Sequence, residues 1–532
     1  MKKILLYSSL YTAILLSACT KLDVKVESEY VDANFPTTAD GFVAAAGPIY
    51  SQLATAYAVD YWRLQELSTD EAIIPARDGN YDDGGQYRFL HLHTYTKDHP
   101  TVRSVWQWGY GGINACNRVY EMFDAAQNIA GKETSKAEIR TMRALYYYFM
   151  MDLFANIPLS TKFKGAELPK QARRAEIFAF IEKELKEVIP MLSDKTGQIT
   201  YSRPTKWLAF AILQKMYLNA QVYINKPMYT ESAAMGDSIL IGNKYSLTSD
   251  YVSIFAPDNG PQITETIFAI PYDANSIEGN QFSRFGLHTG LQAKYSLPFR
   301  PSIAMSTIKS FYEKFNLQND VRNNTWLAGK QFNFDGTPIY ITTTNKGLDD
   351  TYNGPDPGAS IKWQLEFTPE MPLKKVETMD VGNDELGKAR GVRSIKYYPD
   401  KNTNPSTRNS NNDVPVFRLA DVILMKAEAI LRGATPTTVN GELQTAAVLV
   451  SKIRTRAKAA PVSSISLDEL LEERAREMAW EAWRRNDLIR FGKYEDKWGF
   501  KTDNDTRKQI YPIPANEITL NTNLVQNPGY TN

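Results

Sequence analysis

The 532-residue sequence predicts a mainly α-helical protein with a loop-rich, mostly irregular insertion in its second half. Apolar residues recur at intervals of three and four through residues 39–243, which is typical of helices that bury one face. Residues 244–414 are rich in Gly, Pro, Asn, Asp and Thr, which favour turns and loops. Helical spacing returns in residues 415–532 and ends in an extended, proline-containing tail. A helical scaffold interrupted by one irregular region is therefore the predicted architecture.

The N-terminus has the features of an exported lipoprotein. Two lysines precede an apolar run, residues 4–16, that is too short to span a bilayer as a helix. Small residues then lead to Cys19, an arrangement that resembles a bacterial lipobox. We expect residues 1–18 to be a signal peptide, Cys19 to carry the lipid, and residues 19–38 to form a lipid-anchored tether. An ordinary signal peptide with an incidental cysteine is the alternative.

Six helices are predicted in the N-terminal scaffold, residues 39–243. Their approximate bounds are 40–57, 104–130, 135–154, 174–192, 202–223 and 230–241. Paired helices at this spacing suggest tetratricopeptide-like units, which bury their faces by stacking on their neighbours. The second helix contains Trp106 and Trp108, at least one of which should be a core residue, and Cys116, whose apolar setting is typical of a small buried hydrophobe.

Residues 68–100 interrupt the helical pattern. Oxygen-bearing side chains alternate at Asp78, Asn80 and Asp82, as they do in calcium loops. The EF-hand template fails, because an aspartate occupies the position of its glycine and Phe89 occupies that of its bidentate glutamate. We therefore predict a solvated or substrate-facing loop and no metal site.

The predicted insertion, residues 244–414, contains one clearly helical stretch, residues 303–315. Two stretches, 345–358 and 400–413, are near structureless by composition. Long irregular segments inside a folded chain are usually functional loops or linkers. Part of the function is therefore expected in this region.

The C-terminal region is predicted to form helices at 416–432, 441–458 and 467–491, the last beginning with a capping box of Ser466 and Glu469. Helical spacing in that last helix pairs Glu481 with Arg484 and Arg485. Three of its glutamates stack on one face at spacing four: Glu473, Glu477 and Glu481. Such a face is either a set of catalytic carboxylates or an ion-pair clamp that holds helices together, and the clamp is the preferred interpretation.

The sequence carries little catalytic chemistry. It has no G-x-S-x-G elbow, no H-E-x-x-H motif and no P-loop. His91 and His93 could share a strand face and bind a metal, but without carboxylate or cysteine support such a pair is more typical of structural histidines. A glycosidase needs two carboxylates placed across a sugar, and nothing singles out such a pair. The formal net charge of +1 argues against a nucleic-acid partner, and we expect neither enzymatic activity nor a cofactor.

Four segments resemble, in the same order along the chain, the SusD/RagB family of nutrient-binding surface lipoproteins of Bacteroidota. Two small departures are Ala482, where the family usually has glycine, and Ala155-Asn156, which replaces a common Gly-Asp. The matches span nearly the whole predicted mature chain. The segments are 143–149 (RALYYYF) with 156–159 (NIPL), 417–425 (FRLADVILM) with 427–429 (AEA), 473–492 from Glu473-Arg474 to Arg490-Phe491-Gly492, and 511–514 (YPIP) with Glu517 and 526–530 (QNPGY).

The resemblance implies a tetratricopeptide-like scaffold that captures a glycan, or possibly a peptide or other nutrient, at the cell surface. The protein would be held in the outer membrane by its lipid, and it would pass the ligand to a SusC-like TonB-dependent transporter on which it sits as a lid. Two alternatives stay open from the sequence. One is a surface glycoside hydrolase, and the other is a purely structural subunit of the transporter.

The family usually places its ligand contacts on loops in the first third of the chain and in the insertion. An indole or a phenol in a polar loop has few core partners, and sugars stack on aromatic faces, so Tyr81, Trp326 and Trp363 are expected to contribute most. None of the candidates matches an invariant family motif. The predicted ligand-binding residues are Asp78, Tyr81, Asp82, Arg88, Arg284, Tyr295, Trp326 and Trp363.

Overall fold

The computed structural model describes residues 39–77, 80–126, 130–165, 167–275, 279–343, 361–382 and 385–531. The predicted signal peptide, the lipidation site Cys19 and the tether lie outside the described residues, as do Asp78 and the stretch 345–358. Among the helices that are described, none combines the length and the apolar character needed to cross a membrane.

Long helices stack side by side to form the scaffold. The first half contains α1 (Ala39–Ala56), α2 (Trp62–Glu66), α3 (Gln86–Leu92), α4 (Pro100–Ala125), α5 (Lys132–Phe154), α6 (Arg174–Val188), α7 (Lys206–Leu218), α8 (Ala220–Ile224) and α9 (Tyr229–Gly242). A π-helical turn, Tyr57–Tyr61, joins α1 to α2. The long helices pack in the order α1, α4, α5, α6, α7, α9. This stack is the mainly α, tetratricopeptide-like scaffold that the sequence predicts, and the helix expected over 202–223 is divided at Asn219 into α7 and α8.

Two glycines of α4 allow α5 to approach closely. A methyl group at Gly109 would overlap the Met150 side chain, and one at Gly112 would overlap the Tyr146 ring. The apolar residues of α5 and the ring faces of its tyrosines fill the space between the helices. The expectations for α4 are confirmed, since its two tryptophans and Cys116 are all buried.

The irregular region consists of short helices and short antiparallel ladders, and further ladders of this kind lie outside it. The short helices are α10 (Phe282–Gly286), α11 (Lys309–Tyr312) and α12 (Glu385–Ala389). The strand pairs are β1 (Ala72–Ile73) with β5 (Ser306–Thr307), β2 (Ile157–Pro158) with β3 (Gln171–Ala172), β4 (Thr266–Ile270) with β12 (Val414–Arg418), β6 (Trp326–Leu327) with β11 (Arg393–Ser394), β7 (Gly329–Lys330) with β10 (Glu366–Phe367), β8 (Tyr340–Thr343) with β9 (Ile361–Gln364), and β13 (Thr437–Val439) with β14 (Glu442–Gln444).

The helix predicted over 303–315 is mostly absent. Residues 306 and 307 pair with β1 instead, so that Ser306 lies opposite Ile73. Only the four residues of α11 are helical in this stretch. The pairing with a distant strand decides the local conformation, because tertiary contacts routinely override a short helical pattern.

The C-terminal helices extend the stack. They are α13 (Leu419–Leu431), α14 (Ala446–Arg456), α15 (Leu467–Met478), α16 (Arg484–Arg490) and α17 (Ala515–Leu520). Helix α13 packs on α9, and α14 and α15 pack on α13. The predicted capping box is confirmed: the Ser466 hydroxyl accepts from the Glu469 N–H at 3.3 Å, and the Glu469 carboxylate accepts from the Ser466 N–H at 2.7 Å.

The prediction of one continuous helix over 467–491 is wrong, because the helix stops at Met478 and restarts at Arg484. In the break, Trp480 and Ala482 take left-handed backbone conformations, with φ of 65° and 63°. The Trp480 carbonyl accepts a hydrogen bond of 3.1 Å from the Trp62 indole. Helical spacing could not show this break, since the contacts that stabilise it come from the far end of the chain.

Two hydrophobic cores result. The main core runs through the helical stack from α1 to α16. A second, smaller cluster lies in the irregular region and contains Leu287, Leu291, Tyr295, Leu365 and Phe367. The second cluster gives the loops of that region a fixed base.

Candidate ligand site

Tyr81 and Arg284 are two predicted site residues that the fold brings together. Tyr81 lies in the loop between β1 and α3, and Arg284 lies in α10. The Tyr81 hydroxyl donates to the Ser302 carbonyl, and the Ser302 N–H donates to the Arg284 carbonyl at 2.7 Å. The phenol is therefore fixed against the segment that carries Arg284, and both side chains stay partly exposed.

Arg408 joins these residues from the loop 400–413. Its Nη1 atom lies 3.5 Å from the Ser302 hydroxyl. Burial, followed by the like charges of Arg408 and Arg63, lowers the pKa of the Arg284 guanidinium. We call Tyr81, Arg284, Phe285, Ser302 and Arg408 the Tyr81 cluster. Sequence analysis missed Arg408, although a basic residue inside a run of Asn, Ser and Thr is a recognisable signal.

The loop that carries Arg408 is ordered without being helix or strand. Asp400 accepts hydrogen bonds from the backbone N–H of Asn402, at 2.8 Å, and from the Asn411 side chain, at 2.6 Å. The Asn412 side chain donates to two backbone oxygens outside the loop, at 2.8 and 3.0 Å. The stretch contains no helix or strand, as its composition predicts, and side chains of this type order it by bonding to nearby backbone in place of regular structure.

Three non-glycine residues of this region have left-handed backbones. The φ angles are 65° for Tyr81, 60° for Ile303 and 61° for Arg408. This conformation costs an L-residue about 1–2 kcal/mol and is rare for a β-branched side chain. Surrounding bonds hold it in place, such as the 3.0 Å bond from the Ile303 N–H to the Leu287 carbonyl. Strained backbone of this kind concentrates at ligand sites, which supports the cluster as a site.

Two guanidinium groups lie close to the Phe285 ring. The Cζ atom of Arg284 is 4.9 Å from the ring centroid, and that of Arg63 is 5.3 Å away. Arg63 is neutralised by Asp60 at 2.9 Å. Arg284 and Arg408 have no such carboxylate partner in the part of the chain that the structure describes. The cluster thus combines aromatic faces with two uncompensated positive charges.

Asp82 and Arg88 lie in the same loop region as Tyr81 and pair with each other. The Arg88 Nη1 atom is 3.5 Å from the Asp82 carboxylate and donates to the Glu377 carbonyl at 2.5 Å. The Arg88 guanidinium also lies over the Phe89 ring, 5.2 Å from its centroid. This pair fastens the loop to residues 371–382.

Trp326 does not face a ligand. Its side chain is only 7% exposed, and its ring packs against those of Phe315 and Trp480, with centroids 5.0 and 5.4 Å apart. The pairing of β6 with β11 turns the indole toward the main core. The premise that this indole has few core partners is therefore wrong.

Tyr295 and Trp363 both pack on the second hydrophobic cluster. Tyr295 is 7% exposed and contacts Phe334 edge to face at 5.7 Å. Trp363 is partly buried on β9, opposite Ile341. The more exposed aromatic side chains of this region were missed by the sequence analysis, and they are Phe332, Phe334 and Tyr340.

The stacked glutamates of the C-terminal segment form a buried ion-pair network, as the clamp interpretation predicts. Glu473 and Glu477 accept hydrogen bonds from Arg322 at 2.8 and 3.0 Å, and all three side chains are fully buried. Burial alone would raise the pKa of Glu473, but Arg322 and two neighbouring arginines hold it below its ordinary value. Carboxylates that are buried and paired in this way stabilise the helices and cannot reach a ligand.

The predicted histidine pair is structural. His91 belongs to α3, and its ring accepts from the Phe500 N–H at 3.1 Å, while the His93 ring is bonded to the Ser68 carbonyl at 2.9 Å. The suggestion of a shared strand face is wrong. Within the described residues, no group of three or more metal-binding side chains is placed to hold an ion.

Two cavities differ in how they lie relative to the predicted ligand residues. A cavity of about 20 Å³ next to the Tyr81 cluster is lined by Trp62, Arg63, Phe282 and Phe285, among others. A much larger one, of about 1160 Å³, lies between α9, α13, α14 and the β13–β14 hairpin. None of the predicted ligand residues lines the larger cavity. The Tyr81 cluster is a partly exposed face with this small cavity beside it.

Comparison with known proteins identifies the family. Residues 219–530, more than half of the chain, match the family described as the SusD family, and residues 22–218 match one described as starch-binding and associating with the outer membrane. The starch-binding protein SusD of Bacteroides thetaiotaomicron is 26% identical over 458 residues, which cover 80% of this chain and 78% of that protein. A SusD-like protein of Bacteroides ovatus is 23% identical over 527 residues, which cover 92% of this chain and 85% of that protein.

Solved structures agree on the fold. A SusD superfamily protein from Parabacteroides distasonis superposes with a TM-score of 0.70 at 21% identity, covering 92% of this chain and 99% of that one. Surface glycan-binding protein A from Bacteroides thetaiotaomicron, solved in complex with laminarihexaose, superposes with a TM-score of 0.68 at 20% identity, covering 92% and 100% of the two chains. The chain belongs to the SusD family.

Proposed function

We propose that this protein binds a glycan at the Tyr81 cluster and delivers it, without catalysis, to a SusC-like TonB-dependent transporter. The observation that carries the proposal is the convergence of Tyr81, Arg284 and Arg408, which come from three separate segments, on one partly exposed face. Relatives named for starch binding and for a laminarihexaose complex support a carbohydrate ligand.

The chemistry of the cluster suits a sugar. The Tyr81 phenol and the Phe285 ring offer apolar faces for the C–H surface of a pyranose. The guanidinium groups of Arg284 and Arg408 offer several N–H donors for its hydroxyls. Left-handed backbone and tertiary hydrogen bonds hold these groups before the ligand arrives, which lowers the entropic cost of binding.

The proposed location is the outer membrane. The family description of residues 22–218 mentions association with that membrane, and the lipid expected on Cys19 would supply the anchor. From there the protein would face outward and cover the transporter. Its two partners would thus be the glycan and the SusC-like protein.

Affinity electrophoresis tests the glycan part of the proposal. The full chain, purified in detergent, is run through gels that contain starch, laminarin, xylan or pectin. We expect at least one polysaccharide to retard it, and Tyr81→Ala to abolish most of that retardation. Tyr229→Ala is the matched control, because Tyr229 is a partly exposed tyrosine on α9 and outside the cluster.

Two results would count against the proposal. Migration unchanged by every polysaccharide and by their oligosaccharides would favour the structural-subunit alternative. Release of reducing ends from a bound polysaccharide, lost on replacing one carboxylate, would favour a hydrolase. Delivery is tested separately by co-purification of a transporter with the detergent-solubilised chain.

A further inference from the structure

We infer that the Tyr81 cluster selects glycans that carry acidic groups, either carboxylate or sulfate, over neutral glycans of the same backbone. This inference rests on the proposed function and names the class of ligand that the same site would take. It is carried by the positive charges at the cluster and by how few of their hydrogen-bond donors are used.

Arg284 and Arg408 have unused bonding capacity. A guanidinium carries five N–H donors. Arg284 makes one long bond of 3.5 Å to the Thr407 carbonyl, and its Nε atom has no hydrogen-bond partner among the described residues. Arg408 makes one long bond of 3.5 Å to the Ser302 hydroxyl. By contrast, Arg322 and Arg418 in the buried network of this chain use several of their donors on carboxylates.

The surrounding charges leave these arginines uncompensated. Of the nearby carboxylates that the structure describes, Asp60 pairs with Arg63 at 2.9 Å, Asp82 lies 3.5 Å from Arg88, and Asp83 acts on Tyr81 and Tyr87 without an ion pair to Arg284 or Arg408. Arg63 also lies over the Phe285 ring, and its like charge acts on Arg284. Like charges held together by the fold repel each other, and a bound anion removes that repulsion.

A further positive charge lies beneath Tyr81. Arg77 is 1% exposed and donates only to backbone carbonyls, including those of Gly387 and Lys388 at 2.6 and 3.2 Å. These carbonyls belong to the C-terminal part of α12, where a cation interacts favourably with the helix dipole. Arg77 therefore has a structural reason to be buried, and the nearby charge of Asp380 offsets part of its own.

The geometry suits a uronic acid or a sulfated sugar. Carboxylate and sulfate groups accept paired hydrogen bonds from a guanidinium. An isolated sugar hydroxyl accepts a weaker bond. The sugar ring can stack on Tyr81 or Phe285 while its acidic group lies toward Arg284 and Arg408. Neutral glycans would use the aromatic faces and the weaker hydrogen bonds from the guanidinium groups to sugar hydroxyls.

Matched ligands test the inference. Starch and laminarin are compared with their carboxymethylated and sulfated forms by calorimetric titration of the full chain in detergent, at low and at high salt. We expect the acidic forms to bind at least tenfold more tightly at low salt, and the advantage to shrink as salt increases. The carboxymethylated and sulfated arms show which acidic group is preferred.

Variants connect the preference to the cluster. Arg284→Gln and Arg408→Gln should each lower the affinity for the acidic forms about tenfold and that for the neutral forms by about threefold or less, because a neutral sugar loses only bonds to its hydroxyls. Arg118→Gln is the matched control, because Arg118 also lies over an aromatic ring, that of Phe163 at 5.9 Å, but on α4. Thermal unfolding of each variant checks that the fold is retained.

The outcomes separate the two proposals. Equal binding of neutral and acidic forms would overturn this inference and leave glycan binding standing. Acidic preference that survives both cluster substitutions would also overturn it, because the selectivity would lie elsewhere. Binding of neither form would instead count against the proposed function itself.

Discussion

Arg418 and Glu481 form a two-point ion pair, with Nε bonded to Oε2 and Nη2 bonded to Oε1, each at 2.7 Å. Arg418 ends β12, and Glu481 lies in the break between α15 and α16. Helical spacing predicted that Glu481 would pair with arginines of its own segment. The break redirects it, and Arg484 pairs with Asp70 at 2.7 Å instead. The segments that resemble the family are thus bonded to one another inside the core.

Glu481→Gln should lower the free energy of unfolding by about 3 kcal/mol, because Lys396 would lose its carboxylate partner and Arg418 would keep only Glu265 and Glu477. Glycan affinity of the folded protein should not change, since the pair is fully enclosed. Guanidinium denaturation measures the loss. Glu472→Gln is the control: its partner Lys314 is 2.8 Å away, but Glu472 is 39% exposed and the expected loss is below about 1 kcal/mol. Equal losses in the two variants would show that the buried pair has no special weight.

Ala482→Gly should stabilise the protein slightly or leave its stability unchanged. Ala482 has a φ of 63°, which costs alanine about 1 kcal/mol that glycine does not incur. Ala479→Gly is the matched control, because Ala479 is buried nearby with a φ of −47°. That change should lower stability by about 1 kcal/mol, because it relieves no left-handed strain. It makes the unfolded chain more flexible and removes a packed methyl. If both variants unfolded well below the wild-type midpoint, the left-handed backbone at Ala482 would not be strained as we infer.

Local patterns predicted the elements, and tertiary contacts decided where they end and which faces they show. Helix α5 could be identified from the local sequence, although its residues from Thr141 to Phe154 are all buried and present no exposed face. The break at Trp480 was hidden, since it depends on Trp62 more than four hundred positions away. The site followed the same rule. Tyr81 was recognisable as an aromatic residue in a polar loop, and Arg408 as a basic residue in another, but only the fold places the two near each other.

Trp326 and Tyr81 should give opposite results when each is replaced by alanine. Trp326→Ala removes a buried indole that packs against Trp480 and should cost about 3–5 kcal/mol of stability. Tyr81→Ala removes a partly exposed phenol and should abolish glycan retardation with a much smaller effect on stability. Thermal unfolding and affinity electrophoresis of both variants provide the test. A stable Trp326→Ala protein that has lost glycan binding would return Trp326 to the site.

Glu66 and Glu71 form a buried pair of carboxyl groups beneath the break. Both are at most 1% exposed, and neither oxygen of Glu66 has a hydrogen-bond partner among the described residues. The Glu71 carboxyl accepts from the Trp480 N–H. Burial, followed by the charge of Glu71, raises the pKa of Glu66 well above its ordinary range. Burial raises the pKa of Glu71 from 4.5 to about 8, although the Trp480 N–H and Arg484 oppose the shift.

These raised pKa values predict a loss of stability at alkaline pH. A carboxyl group that binds its proton more tightly in the folded chain contributes stability that is complete below pH 4.5 and is lost as the pH rises through about 8. Glu66→Gln removes the second charge and keeps the shape, so its unfolding midpoint should exceed that of the wild type by about 2 °C or more at pH 9 and match it near pH 5. Glu133→Gln, at a carboxylate that is 67% exposed, should follow the wild-type curve. If the unfolding midpoint of Glu66→Gln followed that of the wild type from pH 5 to 9, Glu66 and Glu71 would both be ionised in the folded protein. The contacts around Trp480 would then stabilise both carboxylates.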